Sequence, residues 1–252
     1  MPLPPRTLAL FISDLHLQPS HPATSAAFFA FLKDRAMAAE SLYLLGDLFE
    51  YWAGDDDLET LHPQLVARAI RAVSDAGVKV YWIGGNRDFL VNTGFAEAAG
   101  LTLLAEPHVA DIGGHRIALV HGDAQCTDDV KYLQFRAQVR TPQWQQQFLS
   151  MPLSRRKEII AGLREGSREA QSGKTYEIMD VTPQAIDELF ASTGADVIIH
   201  GHTHRPAVHQ YGARKRYVLP DWDLDAEVPR GGWIAIDSDG AIVRHNLDGQ
   251  VI

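Results

Sequence analysis

The chain has almost no cysteine: Cys126 is the single one among 252 residues, so no disulfide can form within it. Disulfide frameworks are typical of small secreted domains, and a chain without them suits a reducing cytosol. No matching pair of histidine and asparagine marks Cys126 as a catalytic thiol. We therefore interpret it as a packing residue.

Long hydrophobic runs are also missing. The apolar stretch at residues 8–12 is cut off by Asp14, which leaves it too short for a secretory signal peptide. No other run approaches the length of a transmembrane helix. Any association with a membrane is therefore expected to be peripheral.

Basic residues are fewer than acidic ones. Lysine and arginine number 23 against 32 aspartate and glutamate residues, which gives a formal net charge of −9. Non-specific binding to nucleic acid depends on clustered cationic side chains, so no nucleic-acid partner is expected. The length suffices for one large α/β domain, or for a core domain with an inserted subdomain.

What the chain does have is a set of short polar motifs, each at or just past the end of an apolar run. A single aspartate in such a place is most often a helix cap or a turn residue, and that interpretation would lead for Asp47 alone. Several motifs in equivalent places are better explained by one converging site. They are Asp14-Leu-His16, Gly46-Asp47, Gly85-Asn86-Arg87-Asp88, His121-Gly-Asp123 and Gly201-His202-Thr-His204.

The motifs supply oxygen and imidazole donors in a number that suits metal binding. These donors are Asp14, His16, Asp47, Asn86, His121, His202 and His204. They are too many for one catalytic metal that keeps an open position, but they suit two metals that share one carboxylate. Such donors accept Mn, Fe, Co or Zn. The predicted chemistry is two-metal hydrolysis of a phosphate compound.

The order of apolar runs predicts an α/β fold. Strands at residues 8–12, 42–45 and 78–83 alternate with helical spacing at about 25–39 and 58–76, which is the order of parallel strands with helical crossovers. Strand-like pieces at 109–112, 116–120, 197–199 and beyond 208 predict an antiparallel second half. We expect two sheets packed face to face with helices outside, and ligands gathered at one edge.

Residues 127–181 fit neither half, being rich in glutamine, arginine and glutamate. They are predicted to form a helical cap, or lid, inserted into a core of residues 1–126 and 182–252. Apolar residues of this segment, such as Ile159 and Leu163, interleave with basic ones. Part of such a stripe packs on the core. The remainder is hypothesised to line a groove for acyl chains.

As a set, the motifs resemble the calcineurin-like metallophosphoesterase superfamily over about residues 8 to 206. Its third motif usually continues with histidine, whereas this chain has Arg87. Within the superfamily, this arginine and the surrounding motifs resemble the bacterial enzymes that hydrolyse a UDP-linked 2,3-diacylglucosamine for lipid A synthesis. The resemblance implies an αββα sandwich with an inserted cap. It also implies cleavage of a pyrophosphate bond to UMP and the diacylated sugar 1-phosphate, lipid X.

The resemblance further implies a division of the ligands between two Mn²⁺ ions. The first ion is expected to be held by Asp14, His16, Asp47 and His204. The second is expected to be held by Asp47, Asn86, His121 and His202. Asp47 would then bridge both ions, and water activated between them would attack the uridine-side phosphorus.

Residues with roles toward the substrate are implied in the same way. The catalytic residues would be Asp47, Asn86, Arg87 and His121. The substrate contacts would be Asn86, Arg87, Asp129, Ser167, Gln171, Lys174 and His202. The middle cap position is usually asparagine, so the contact of Gln171 is kept at longer reach or lost. A late segment that usually has glycine has Pro220 here, which puts the local turn in doubt.

Arg87 bears on the type of substrate. Histidine in its place is suited to protonating an alkoxide, but a phosphate leaving group has a second pKa of about 6 and departs with little help. Such a group needs charge balance, which a guanidinium supplies through a bidentate fork. The alternative interpretation is an exposed salt bridge between Arg87 and Asp88.

The sequence thus predicts a Mn²⁺-dependent pyrophosphohydrolase of a UDP-linked diacylated glucosamine lipid. We expect it in the cytoplasm, attached peripherally to the cytoplasmic face of the inner membrane. Two alternatives stay open. One is another metallophosphoesterase, such as a phosphomonoesterase or a cyclic nucleotide phosphodiesterase, and the other is a non-catalytic scaffold on the same fold.

Overall fold

The computed structural model describes residues 5–172 and 180–252, with side chains up to residue 165 and again from residue 180. The strands within this part are β1 (Thr7–Ile12), β2 (Ser41–Leu44), β3 (Lys79–Trp82), β4 (Thr102–Leu103), β5 (His108–Ile112), β6 (His115–Leu119), β7 (Val197–His200), β8 (Val208–Tyr211), β9 (Arg214–Val218), β10 (Gly232–Asp237) and β11 (Ile242–Asn246). The helices are α1 (Pro22–Asp34), α2 (Leu61–Asp75), α3 (Thr93–Ala99), α4 (Val130–Val139), α5 (Pro142–Leu149), α6 (Leu153–Ser172) and α7 (Pro183–Thr193).

The strands form two mixed sheets. The first has the order β11-β10-β1-β2-β3-β4, with β1 to β4 parallel and β10 antiparallel to both of its neighbours, β1 and β11. The second has the order β5-β6-β7-β9-β8, with β6, β7 and β9 parallel and both edge strands antiparallel. The predicted division into a parallel and an antiparallel half was therefore wrong. The last hairpin returns to the first sheet because Ile234 and Ile236 complete the apolar layer beside β1.

The two sheets pack face to face, and the alternation of side chains along the strands shows it. Ala9 and Phe11 of β1 join the same buried cluster as Ile117 of β6. Leu10 and Ile12, between and beyond them, point the other way into the cluster covered by α1, α2 and α3. A two-residue period buried on both faces is expected of a strand enclosed by two layers. Helix α7 covers the outer face of the second sheet, so the predicted αββα fold is confirmed.

Two helix boundaries differ from those predicted. Helix α1 begins at Pro22, because proline fits the first turn of a helix, and it ends at Asp34 before a 3₁₀ turn at Ala36–Ala38. Helix α2 begins at Leu61 rather than near residue 58, because Asp55–Glu59 wind into a 3₁₀ turn of their own. Neither difference changes the order of elements.

Helices α4, α5 and α6 occupy the segment that was predicted to be a helical cap, and we call these three helices the lid. Helix α6 is fastened to the core by ion pairs: Lys157 Nζ lies 2.6 Å from Asp57 Oδ1, and the buried Arg156 pairs with Asp56. That the lid is a separate insertion stays a prediction. Among the described residues, no helix combines the length and apolarity needed to cross a bilayer.

Candidate metal centre

The five motifs lie at the carboxyl ends of β1, β2, β3, β6 and β7, which meet at one end of the two-sheet sandwich. Backbone hydrogen bonds join neighbouring motifs to each other. Asp14 N donates to Gly46 O at 3.0 Å, and Gly201 N donates to His121 O at 2.9 Å. Because the ends of adjacent parallel strands lie side by side, motifs far apart in sequence become one surface.

The backbone is unusual at most of the predicted ligands. Of the non-glycine residues that the structure describes, those with positive φ are Asp14 (55°), His16 (49°), Asp47 (52°), His202 (65°) and His204 (53°). All of them are predicted metal ligands. Left-handed backbone costs on the order of 1–3 kcal/mol per residue and concentrates at functional sites. Here it turns successive side chains out of the strand direction and into the pocket.

The first ligand group consists of Asp14, His16 and His204. The His16 and His204 Nε2 atoms lie 3.4 Å apart, and His204 Nε2 lies 3.6 Å from Asp14 Oδ1. Two donors on one cation, each about 2.1 Å from it, lie about 3.0–3.4 Å apart. The donor atoms of this group all lie within 4.8 Å of one another. The spacing therefore fits a shared cation.

The second ligand group consists of Asn86, His121 and His202. Asn86 Oδ1 lies 3.0 Å from His121 Nε2 and 2.8 Å from His202 Nδ1. Asp47 lies between the two groups: its Oδ1 is 3.7 Å from His121 Nε2, and its Oδ2 is 4.0 Å from His16 Nε2. Each oxygen of one carboxylate thus faces a different group, as a bridging ligand requires.

The protonation pattern of the second group also fits a cation. His121 Nδ1 lies 2.8 Å from the Leu45 carbonyl oxygen and donates to it, so in the neutral ring Nε2 carries a lone pair. That lone pair faces the Asn86 oxygen, which is also an acceptor. Burial disfavours a charged imidazole, but the carboxylates of Asp47, Asp14 and Asp123 outweigh burial and raise the pKa of His121 to about 9. Without a cation the ring therefore takes up a proton at Nε2, and a bound cation would supply that positive charge instead.

The hydrogen bonds of the Asp14 carboxylate also indicate a cation in the pocket. Its Oδ2 accepts from Ser13 Oγ at 2.5 Å and from His202 N at 2.8 Å. Its Oδ1 is buried and accepts no hydrogen bond within the described chain. A buried carboxylate oxygen without a donor is costly unless a cation meets it. The residues present fit divalent cations at both groups.

Other polar groups orient the imidazoles. His204 Nδ1 lies 3.3 Å from Asp221 Oδ2, and His16 Nδ1 lies 3.0 Å from Glu50 Oε2, although the latter contact lacks the alignment of a hydrogen bond. Metal-binding histidines usually give their second nitrogen to such an acceptor, which fixes the ring. The sequence interpretation assigned no role to Glu50 or Asp221. Their positions three residues after Asp47 and one before Trp222 were visible, but their partners were not.

Asp88 holds two motif loops together. It is fully buried and accepts from the backbone N–H groups of Gly85 (2.8 Å), Leu48 (2.8 Å), Asp47 (3.2 Å) and Phe49 (3.3 Å). The alternative interpretation of Asp88 as an exposed partner of Arg87 was therefore wrong, because backbone amides already surround the carboxylate. Burial and the charge of Asp47 raise the pKa of Asp88 to about 7.

Two motif glycines are required by crowding at the ligands. A Cβ at Gly85 would collide with Asp47 Oδ1, and a Cβ at Gly201 would collide with Asp14 Oδ2. Any larger residue at either place would displace a predicted ligand. The glycines thus allow the backbone to approach the carboxylates closely.

Helix α4 of the lid is anchored to the second ligand group. Arg136 Nε lies 2.8 Å from Asp123 Oδ2, and Tyr132 OH also donates to that oxygen. Arg140 Nη2 donates to Gly85 O at 2.9 Å, next to Asn86. The Tyr132 ring lies 6.3 Å from that of His202. The sequence analysis missed this network because its members are far apart in the chain.

The predicted substrate residues are placed unevenly. Arg87 is half-buried, and its charge helps to lower the pKa of Glu50. Asp129 begins α4 by accepting from Tyr132 N at 3.2 Å. Ser167 and Gln171 belong to α6, but their side chains lie outside the described part of the chain, as does all of Lys174. The roles of these residues, and those of Asn86 and His202 toward the substrate, stay predictions.

The fold and the pocket define a class of protein, and a family comparison agrees. Residues 8–206 match the model of the calcineurin-like phosphoesterases, so the chain belongs to this family of metal-dependent hydrolases. A relative from Klebsiella pneumoniae subsp. pneumoniae, named UDP-2,3-diacylglucosamine hydrolase, is 49% identical over 239 residues, which are 95% of this chain and 95% of the relative. A relative of the same name from Stenotrophomonas maltophilia is 48% identical over 240 residues, with 89% and 96% covered.

Solved structures resemble the chain in fold alone. The structure of vacuolar protein sorting 29 from Cryptosporidium parvum superposes with a TM-score of 0.50 at 14% identity, covering 99% of this chain and 96% of that one. The predicted family is confirmed by the sequence relatives, and the predicted fold by both comparisons.

Proposed function

We propose that this chain hydrolyses the pyrophosphate bond of UDP-2,3-diacylglucosamine to UMP and 2,3-diacylglucosamine 1-phosphate. The observation that carries the proposal is the convergence of two ligand groups on one pocket that opens to solvent at His204, with one Asp47 oxygen facing each group. The substrate follows from the name of relatives that are 49% and 48% identical over nearly the whole chain.

The two groups divide the proposed cofactors between them. Asp14, His16, His204 and Asp47 would hold one Mn²⁺, and Asn86, His121, His202 and Asp47 the other. When bound, the pair supplies an activated water and neutralises charge on the attacked phosphate. Manganese suits a pocket of carboxylate, amide and imidazole donors without sulfur.

The residues of the chain supply the rest of the reaction. His121, fixed by its bond to the Leu45 carbonyl, and Asn86 present their donor atoms at one face of the pocket. Arg87 follows Asn86 in the chain, its backbone N–H donates to Asp47, and its guanidinium is proposed to balance the charge of the departing sugar phosphate. We propose that attack occurs at the uridine-side phosphorus, which leaves the sugar phosphate on the Arg87 side.

The lid is proposed to receive the acyl chains. Among the lid side chains that the structure describes, the large apolar ones left exposed are Val130, Phe135 and Leu163. Ile159 and Ile160, by contrast, pack against the main core cluster. The apolar residues of the lid therefore fall into two sets: one packs on the core, and the other is exposed and available to lipid. Exposed apolar residues also suit a peripheral position on the cytoplasmic face of the inner membrane. No nucleic-acid partner is proposed, because the formal net charge is −9.

Hydrolysis in ¹⁸O-labelled water tests the proposed function. Purified chain with Mn²⁺ and UDP-2,3-diacylglucosamine is expected to release UMP that carries the label, because water attacks the uridine-side phosphorus. Mass spectrometry of UMP and of the sugar phosphate measures the outcome. Label in the sugar phosphate would refute the site of attack. Faster turnover of p-nitrophenyl phosphate or its diester than of the UDP-lipid would favour the alternative phosphoesterases.

Replacing Leu163 with serine tests the acyl groove. Leu163 is 46% exposed on α6, so the change costs the fold little but removes an apolar contact worth about 1–2 kcal/mol to a buried chain. We expect KM for the diacylated substrate to rise about tenfold, with hydrolysis of a water-soluble phosphodiester unchanged. Leu65→Ser is the matched control, since Leu65 is 43% exposed on α2, outside the lid. An equal loss on both substrates would contradict the groove.

A further inference from the structure

We infer that Glu50 links the lid to the first ligand group: Arg164 of helix α6 holds the Glu50 carboxylate, and Glu50 holds His16 in its ligating orientation. Glu50 is thus a positioning residue, and the seating of helix α6 is coupled to metal binding at the first group. The inference rests on the proposed metal centre and adds a dependence that neither the fold nor the relatives' names contain.

The link is a continuous chain of three side chains. Arg164 Nη2 pairs with Glu50 Oε1, and the second oxygen, Oε2, lies 3.0 Å from His16 Nδ1, in a close polar contact that lacks the alignment of a hydrogen bond. The opposite ring nitrogen, His16 Nε2, faces His204 Nε2 at 3.4 Å. Each oxygen of Glu50 therefore has one partner, one on the lid and one on the metal centre.

Burial makes this chain different from a surface ion pair. The exposed fractions of the side chains are 19% for Arg164, 13% for Glu50 and 16% for His16. The Arg164 guanidinium also lies over the Tyr51 ring, 5.7 Å from its centroid. On the same helix, Arg155 pairs with Glu158 at 63% and 66% exposure, a geometry that water screens. A shielded carboxylate with two fixed partners transmits orientation from one partner to the other.

The consequence follows from where the two ligand groups are held. His121 of the second group is oriented by the Leu45 carbonyl of the core, independently of α6. His16 lies against Glu50, and Glu50 loses its ion pair with α6 when that helix or its arginine is removed, while the charge of Arg87 still acts on it. Loss of the direct outer partner of a ligating histidine, here Glu50, typically weakens metal binding 10- to 100-fold, and we expect the loss of Arg164 to reach the lower end of that range. By reciprocity, a cation at the first group favours the seated helix α6.

The test compares Arg164→Met with Arg155→Met in the full chain, using Mn²⁺ alone and no substrate. Calorimetric titration of metal-free protein, with electron paramagnetic resonance of free Mn²⁺, resolves the two binding steps. For Arg164→Met we expect one step to weaken at least tenfold and the other to stay within twofold. Arg155→Met is expected to match the parent chain in both steps. Circular dichroism checks that each variant is folded.

Further variants separate the link from a general loss of packing. Arg164→Lys keeps the charge and is expected to retain most of the affinity. Glu50→Gln is expected to weaken the same step, and adding Arg164→Met to it should cause no further loss. Unchanged binding in Arg164→Met, or equal weakening of both steps, overturns the link. Because no nucleotide lipid is used, failure of the proposed substrate leaves this result unaffected.

Discussion

Replacing Asp47 with alanine is expected to reduce UMP release on the order of 1,000-fold or more. The two oxygens of Asp47 face different ligand groups, so one substitution removes a donor from both cations. A loss of about 4 kcal/mol of transition-state stabilisation corresponds to that factor. Steady-state assays with UDP-2,3-diacylglucosamine measure the rate, and titration with Mn²⁺ is expected to show weakened binding at both steps.

The same variant is expected to remain folded. Asp47 accepts one backbone bond, from Arg87 N at 2.8 Å, but its charge also opposes that of buried Asp88. Removing one of two neighbouring buried carboxylates offsets the lost hydrogen bond, so the melting temperature of the metal-free protein should not fall. Asp75→Ala, on the exposed face of α2, serves as the control with full activity. Activity within tenfold of the parent would contradict the bridging role, and an unfolded variant would contradict the expected balance between the lost hydrogen bond and the relieved repulsion.

Local signals account for what the sequence could predict of the fold. The apolar runs before Asp14 and Asp47 are strands β1 and β2, whose buried residues are continuous in sequence. Parallel neighbours end at the same edge, so convergence of the two aspartates followed from the order of elements alone. The position of β10–β11 did not follow, because a hairpin pattern specifies strands without specifying the sheet they join.

The candidate site, like the fold, could be predicted only in part from the sequence. Residue type and spacing pointed to ligands such as His16 and His121, whose chemistry is carried by their own side chains. The roles of Glu50, Asp88 and Asp221 depend on partners that only the fold brings close. The left-handed backbone at the ligands was equally hidden, because aspartate and histidine, though enriched among residues with positive φ, mostly have negative φ, so residue type alone does not identify these positions. Sequence thus identifies the donors, while tertiary structure supplies their orientation.

Replacing Asp88 with alanine is expected to lower the free energy of unfolding by about 3–5 kcal/mol. Four buried backbone N–H groups, from Gly85, Asp47, Leu48 and Phe49, would lose their acceptor. Each buried donor without a partner costs about 1–3 kcal/mol, reduced here by local relaxation and by water entering the space. Urea denaturation of the metal-free protein, followed by tryptophan fluorescence, measures the change.

Two further variants show whether the loss comes from those hydrogen bonds. Asp88→Asn keeps one acceptor oxygen and is expected to lose less stability than Asp88→Ala, since two of the four amides stay bonded. Asp111→Ala removes an exposed carboxylate on β5, 3.7 Å from Arg116, and is expected to change stability by less than about 0.5 kcal/mol. A loss below about 1 kcal/mol in Asp88→Ala would mean that the two motif loops are held by other contacts.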